Sequence, residues 1–109
     1  MNALIQPISP RLLRLSPLDN VATITAPAEK GAALELDQQT KITLLNRISV
    51  GHKVAVRDIA MGEKVVKFGC PIGSATRAIA AGEHVHTHNL KSDYIPTFTL
   101  DEGGKFLKG

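Results

Sequence analysis

The chain has 109 residues, a net charge of +3 and one cysteine, a size that allows one domain with a modest core. A single cysteine excludes a disulfide framework within the chain and a zinc site built from cysteines. Aromatic residues make up 4% of the chain and the basic residues are dispersed, so we expect neither a base-stacking platform nor a phosphate-binding stripe. We therefore predict no nucleic-acid partner.

The first seventeen residues are expected to form an arm with little regular structure. Three prolines in this segment lack a backbone donor and interrupt strand pairing, although Leu12, Leu13 and Leu15 could add a short edge strand. The segment has no apolar run of signal-peptide length, and no stretch approaches the roughly 18 apolar residues of a membrane span. These features predict a cytoplasmic protein that has no membrane partner.

From residue 18 onward the chain predicts an all-β domain of short strands. Polar and apolar residues alternate with period two, and β-branched residues are frequent, over Val21–Ile24 and residues 40–45, 50–59, 64–68 and 83–88. Residues 27–36 are the one candidate helix, and Gly31 within them would cost that helix about 1 kcal/mol. Residues 93–109 are expected to form a Gly- and Lys-rich tail or linker.

One pattern recurs along the chain: an apolar residue, two residues, Gly, two residues and a second apolar residue. Residues 48–54, 59–65 and 79–85 carry it with Ile first and Val last, and residues 28–34 are a weaker copy. Because Gly reaches a positive φ that other residues avoid, each copy predicts a sharp bend between two short strands. Bends repeated this often fold the strands back on one another, as in a β-clip or a small barrel.

Three of the four histidines lie in one run, as His84, His86 and His88. If this run is a strand, all three side chains point to the same face. Neighbouring imidazoles do not suit an apolar core, since each needs partners for its N–H and its lone pair. They suit a divalent metal or a polar cleft, and a solvated polar edge is the alternative.

The fourth histidine, His52, is followed by Lys53 and comes directly after a turn glycine. Taken alone, this pair could simply be exposed. If it meets the histidine run in space, imidazoles, an ammonium group and the amide of Asn89 would together orient a carboxylate and a hydroxyl. An anionic, polyhydroxylated small molecule is the ligand that such a set would fit.

Three motifs in order resemble the N-terminal SAF domain of the altronate/galactarate dehydratase family. They are GHKVAVRDIAMGE at residues 51–63, KFGCPIGSAT at residues 67–76 and IAAGEHVHTHNL at residues 79–90, and residues 18–22 are similar to the opening strand of that family. The resemblance covers about residues 15–92 and implies an SAF-type β-clip fold. It divides the chain into an arm at 1–17, the SAF domain at 18–92 and a tail or linker at 93–109.

The resemblance implies a lyase, because members of this family dehydrate sugar acids and a close branch cleaves sulfolactate. It implies that the chain is the small subunit of a hydro-lyase and is inactive alone. A large catalytic subunit would complete the site and provide most of the ligands of a divalent metal, which is expected to be iron(II). The substrate would be an aldonate or an aldarate. Unpaired strand edges also predict self-association or docking against that subunit.

The same resemblance assigns roles to individual residues. His52 and Lys53 match the Gly-His-Lys of the family and are predicted to be catalytic, with Lys53 also binding a substrate carboxylate. His86 and Asn89 are predicted to bind substrate, and His86 and His88 to bind metal. His84 and Cys70 fall at positions to which the resemblance assigns no role, and Cys70 is predicted to be structural.

Two other functions remain open at this point. The chain could be an SAF module without catalytic activity that binds a sugar acid or a protein partner, since SAF-like domains also occur in sialic acid synthases, antifreeze proteins and flagellar or pilus assembly proteins. It could also be the small subunit of a sulfolactate lyase. Neither alternative changes the predicted fold.

Overall fold

Nine short β-strands make up all the regular secondary structure in the residues that the computed structural model describes, 9–37 and 39–93. They are β1 Leu12–Leu13, β2 Val21–Ile24, β3 Ala33–Glu35, β4 Lys41–Thr43, β5 Lys53–Ala55, β6 Lys64–Lys67, β7 Cys70–Ala75, β8 His84–Val85 and β9 Leu90–Lys91. The predicted all-β class is therefore confirmed. The described residues include no helix that is long and apolar enough to cross a membrane.

The strands form three antiparallel sheets. Their orders are β1-β2-β5-β8, β3-β4 and β6-β7-β9. In the largest sheet β5 lies between β2 and β8, so that Lys53 pairs with Thr23 on one side and with Val85 on the other. Because β5 begins at Lys53, this sheet carries both segments of the predicted site.

Each copy of the repeated glycine pattern forms a corner between two strands. Gly31, Gly51, Gly62 and Gly82 have φ values of +90°, +82°, +84° and +90°, which is the backbone conformation that the pattern predicted. The apolar residues at the two ends of each copy are buried: Ala28, Leu34, Ile48, Val54, Ile59, Val65, Ile79 and Val85. The corners pair through two isolated bridges, one joining the copies at 28–34 and 48–54 and the other joining those at 59–65 and 79–85.

Two apolar clusters form the core. Strands β2 and β5 contribute to both, because successive side chains of a strand point to opposite faces. Ala22 and Val54 pack in the cluster around Leu34 and Leu44. The second cluster contains Val21, Ala55, Ile59, Val65, Ala75, Ile79 and Val85. The two central strands of the largest sheet therefore tie the whole domain together.

Residues 27–36 do not form the helix that was their alternative prediction. Gly31 turns the chain at positive φ, and Ala33–Glu35 becomes β3, which pairs with β4 through Ala33 and Thr43. Leu34 is buried by this pairing. Tertiary packing of a single apolar side chain therefore outweighs a weak local preference for helix.

The N-terminal arm includes the short edge strand that its leucines predicted. Leu12 pairs with Ile24 and is buried, whereas Leu15 stays exposed. Residues 1–8 of the predicted arm and residues 94–109 of the predicted tail lie outside the described residues. The last described residue, Asp93, accepts a hydrogen bond of 2.7 Å from the ammonium group of Lys64.

Candidate functional site

All four histidines of the chain lie together where β5 begins and β8 ends. The ring centroid of His52 lies 5.0 Å from that of His84 and 5.3 Å from that of His86. The rings of His84 and His86 are stacked with centroids 5.6 Å apart, and the ring of His88 is 5.4 Å from that of His84. The two segments that sequence reasoning could only suppose to meet therefore do meet.

Strand pairing explains why residues so far apart in the chain converge. In the antiparallel pairing of β5 with β8, Val54 lies opposite His84 and Lys53 opposite Val85. One residue further along, the same register places His52 beside His86. The corner glycines Gly51 and Gly82 precede these two strands and set where each of them begins.

The histidine run is not the continuous strand that its alternation predicted. Strand β8 ends at Val85, and residues 86–89 form a turn, so the predicted arrangement of three histidines on one strand face is wrong. The turn is closed by hydrogen bonds from the backbone N–H groups of Asn89 and Leu90 to the carbonyl oxygen of His86, at 3.0 and 2.8 Å. The histidine rings therefore come together because the backbone turns after Val85, and not because alternate residues of one strand share a face.

The buried side chain of Asn89 stabilises this turn. The residue is fully buried, its Oδ1 accepts from the backbone N–H of His86 at 2.9 Å, and its Nδ2 donates to the carbonyl of His84 at 2.8 Å. A weaker contact of 3.4 Å joins Nδ2 to Glu83. Asn89 was predicted to bind substrate, but the described chain leaves no surface of this residue for a substrate to contact. Its observed part is to position His84 and His86.

Three of the four imidazoles form a possible ligand set for a metal. One ring nitrogen each of His52, His84 and His86 lies within 4.8 Å of the others, and Nδ1 of His52 is 2.9 Å from Nε2 of His84. In this contact one ring carries the N–H that the other accepts. His52 and His84 are half-buried and His86 is exposed. Imidazole nitrogens of this kind fit first-row divalent ions such as Fe²⁺ or Zn²⁺.

The charges around the cluster are positive. Burial lowers the pKa of His84, and the neighbouring His52, His88, His86 and Lys53 lower it further because they disfavour another positive charge. Burial likewise lowers the pKa of the Lys53 ammonium group, with a further effect of Lys67. None of the ion pairs found among residues 9–37 and 39–93 includes Lys53. The positive neighbours disfavour protonation of His84 and so leave the lone pair of its ring free for a ligand, and an anionic group would offset the charge of Lys53.

The structure assembles the predicted site residues in a different grouping from the predicted one. The cluster contains His52, His86 and His88. Lys53 is near enough for its charge to lower the pKa of His84. Of the predicted metal pair His86 and His88, His86 belongs to the group of three imidazoles that converges in the described residues, with His52 and His84. The ring of His88 lies beside that of His84, with the two centroids 5.4 Å apart.

Two participants were missed by sequence reasoning. His84 has no assigned role in the family motif, yet its ring contacts those of the other three histidines. The only sequence signal for it was its place in the histidine run. Lys67 lies close enough to lower the pKa of Lys53, although 14 positions separate the two, and no local pattern connects them.

Comparison with known proteins gives a consistent match. The family model for the altronate/galactarate dehydratase SAF domain matches residues 10–93. The altronate dehydratase of Escherichia coli K12 is 44% identical over 81 residues, which are 74% of this chain and 16% of that protein. The (2R)-sulfolactate sulfo-lyase subunit alpha of Chromohalobacter salexigens is 39% identical over 62 residues, or 57% of this chain and 66% of that subunit. The corresponding subunit of Paracoccus pantotrophus is 38% identical over 52 residues, which are 78% of its length.

Short antiparallel strands joined by glycine corners, with polar residues gathered where β5 and β8 meet, define a small all-β domain that carries a site at its edge. The chain belongs to the altronate/galactarate dehydratase SAF domain family, since the family model spans most of its length. It matches only 16% of the length of the altronate dehydratase of E. coli, whereas it matches most of the length of the sulfo-lyase alpha subunits.

Proposed function

We propose that this chain supplies part of the active site of a lyase that removes a β substituent from a hydroxy-carboxylic acid. The observation that carries the proposal is the convergence of His52, His84 and His86 beside Lys53 in a chain of this family. A carboxylate substrate would provide the negative charge that this cluster lacks. The cytoplasm, predicted from the sequence, is the location that the proposal assigns.

In the proposed reaction a base removes the proton α to the substrate carboxylate. The electron pair of that C–H bond forms the new carbon–carbon double bond, and the β substituent leaves with the electrons of its own bond. Imidazole nitrogens are suited to move such a proton because their ordinary pKa lies near neutrality. We assign proton transfer or positioning to His52 and substrate contact to His86. A nitrogen that holds a metal ion cannot also accept the proton, so His52 has the positioning role, and another group is the base, if His52 is a ligand.

Lys53 is assigned to the substrate carboxylate. Its ammonium group is partly withdrawn from water, and burial makes the charged form less stable. A substrate carboxylate would stabilise that charge through charge-assisted hydrogen bonds. A divalent metal, iron(II) in this proposal, would supply Lewis-acid stabilisation of the negative charge that develops on the substrate oxygens. The donor set of His52, His84 and His86 fits such an ion.

A larger polypeptide completes the enzyme in this proposal. The chain matches 16% of the altronate dehydratase of E. coli, so most of that protein has no counterpart in this match. The sulfo-lyase relatives are named as alpha subunits, and the chain matches 66% and 78% of their lengths. The name alpha subunit implies a further subunit in those relatives, and the proposal extends that division to this chain, which would then be inactive alone.

A second candidate substrate follows from the same subunit relatives. The sulfolactate sulfo-lyase subunits are 39% and 38% identical to this chain and altronate dehydratase is 44% identical, so sulfolactate stands beside a sugar acid as a candidate substrate. In the first case the departing group is sulfite, and in the second it is water. An SAF module without catalytic activity is the remaining alternative.

The test is to tag the chain in its native host, identify by mass spectrometry the polypeptide that co-purifies with it, co-express and purify the pair, and assay it anaerobically with Fe²⁺. Altronate, galactarate and (2R)-sulfolactate are offered separately. We expect a complex of fixed ratio that turns over at least one of these acids, while each polypeptide alone does not. A complex that forms and turns over none of them, or no complex at all, would overturn the proposal.

A further inference from the structure

We infer that this chain by itself binds one first-row divalent ion through His52, His84 and His86. The inference deepens the metal part of the proposed function, but it concerns residues of this chain and does not require the larger polypeptide. It differs from the pair His86 and His88 predicted from the sequence, because it makes His84 a ligand and leaves His88 outside.

The spacing of the three imidazole nitrogens supports this assignment. With metal–nitrogen bonds of about 2.0–2.1 Å, two nitrogens on the same ion lie about 3 Å apart. Nδ1 of His52 and Nε2 of His84 are already 2.9 Å apart, and all three ligand atoms lie within 4.8 Å of one another. The exposed His86 is the side chain that has room to move the remaining distance.

The hydrogen-bonding state of the rings also points to a cation. In the 2.9 Å contact between Nδ1 of His52 and Nε2 of His84 one nitrogen carries the proton, and which one depends on the tautomer. When that proton moves to the other nitrogen of its ring, both facing nitrogens present a lone pair to the same point, and an ion bound there would replace the hydrogen bond between them. No carboxylate belongs to the set found in residues 9–37 and 39–93, so borderline ions are favoured over Mg²⁺ and Ca²⁺, which prefer oxygen.

The backbone around His84 is fixed in a way that suits a ligand. Its N–H donates to Oδ1 of Asn46 at 3.0 Å and its carbonyl accepts from Nδ2 of Asn89 at 2.8 Å, so the peptide groups before and after His84 are both held by hydrogen bonds. Residues that hold a ligand in place contribute strongly to metal affinity. His88 sits in the exposed turn, and its ring centroid lies 5.4 Å from that of His84.

The experiment titrates Co²⁺ into the full-length chain alone, with visible absorption and calorimetry as readouts and Mg²⁺ as a competitor. We expect one Co²⁺ per chain, ligand-field bands that Mg²⁺ does not displace, and an affinity at least about 10-fold weaker in His84→Ala. His88→Ala is the matched variant in the same run and should stay within about 3-fold of the unmodified chain. Circular dichroism and thermal unfolding establish that both variants are folded.

Two results would overturn the inference: no binding of Co²⁺ by the folded chain, or a loss in His88→Ala together with normal binding in His84→Ala. The readout is separate from that of the proposed function. A chain that binds Co²⁺ while the two-polypeptide complex turns over no acid would contradict the proposed lyase and leave the metal site standing. Turnover by a complex whose small chain binds no metal would do the reverse.

Discussion

Nδ1 of His52 lies 2.9 Å from Nε2 of His84, although 32 positions separate the two residues in the chain. Their contact depends on the pairing of β5 with β8, which places His84 opposite Val54. Anything that shifts this register by one residue would move one ring to the other face of the sheet. The site is therefore as stable as the corners and the turn that fix these two short strands.

Asn89→Ala is expected to destabilise the domain by about 2–4 kcal/mol, because the buried amide serves both His86 N–H and the His84 carbonyl. Urea unfolding followed by circular dichroism measures this. Asn46→Ala is the matched control: this exposed residue accepts from the N–H of His84, and its removal should cost about 1 kcal/mol or less. Equal losses in the two variants would contradict the positioning role of Asn89.

Gly82→Ala and Gly62→Ala should differ although both glycines have nearly the same positive φ, +90° and +84°. Both changes incur the about 1–2 kcal/mol that a side chain pays in this backbone region. At Gly82 the added Cβ would also collide with the carbonyl oxygen of Thr43, whereas nothing lies within 4 Å of a Cβ at Gly62. Thermal unfolding should rank Gly82→Ala as clearly less stable, and the reverse order would refute the packing described for this corner.

Asp19 is expected to make stability depend on acidity. Burial alone would raise the pKa of its carboxyl, but hydrogen bonds from the backbone N–H groups of Gly69, Phe68, Ser16 and Leu15 outweigh burial and lower it. A lowered pKa in the folded state stabilises the fold above the ordinary value of 3.8, and this contribution is lost as pH falls through the lower folded value.

The variant Asp19→Asn should therefore be less stable than the unmodified chain at neutral pH, by about 1–3 kcal/mol, and the gap should close in strong acid. Urea unfolding at several pH values measures it. Asp58→Asn serves as the control, since this exposed carboxylate accepts a single hydrogen bond, of 3.0 Å, from Ala81 among the described contacts, and its loss should cost less than about 1 kcal/mol. A gap that persists unchanged into acid would count against the account of Asp19.

Lys67→Met should raise the pKa of Lys53 toward its ordinary value of 10.5, because it removes a positive charge that disfavours another nearby. Lys53 should still titrate below that value, since burial is the larger cause. NMR titration of the lysine side chains measures this. Lys64→Met, whose ammonium group pairs with Asp93, is the control and should leave Lys53 unchanged. An unchanged Lys53 in Lys67→Met would show that the two lysines do not face one another.

Much of the fold could be predicted because its signals are local. A glycine at the centre of each seven-residue pattern requires a corner, and the residues at its ends, such as Ile48 and Val54, are apolar enough to indicate burial. The strand at Ala33–Glu35 was not predicted, because its pairing with β4 and the burial of Leu34 depend on residues distant in the chain.

The site was predicted in part for the same reason. Sequence could name His52, Lys53 and the histidine run, but alternation could not reveal that β8 ends at Val85 and that a turn follows. Asn89 looks like a polar site residue in the sequence, and only its three-dimensional surroundings show that its buried amide forms hydrogen bonds with the backbone. The central place of His84 likewise depends on strand pairing across the sheet.

The most direct test of the central claim is the turnover of the complex between this chain and the larger polypeptide of the proposed function when His52 is replaced by Ala. We predict that the complex still assembles and that kcat falls about 100-fold or more, as expected for loss of a group that transfers the proton or holds the metal ion. Glu29→Gln, which removes an exposed ion pair with Arg47, should retain full turnover. An intact complex with His52→Ala that turns over at the unmodified rate would contradict the account.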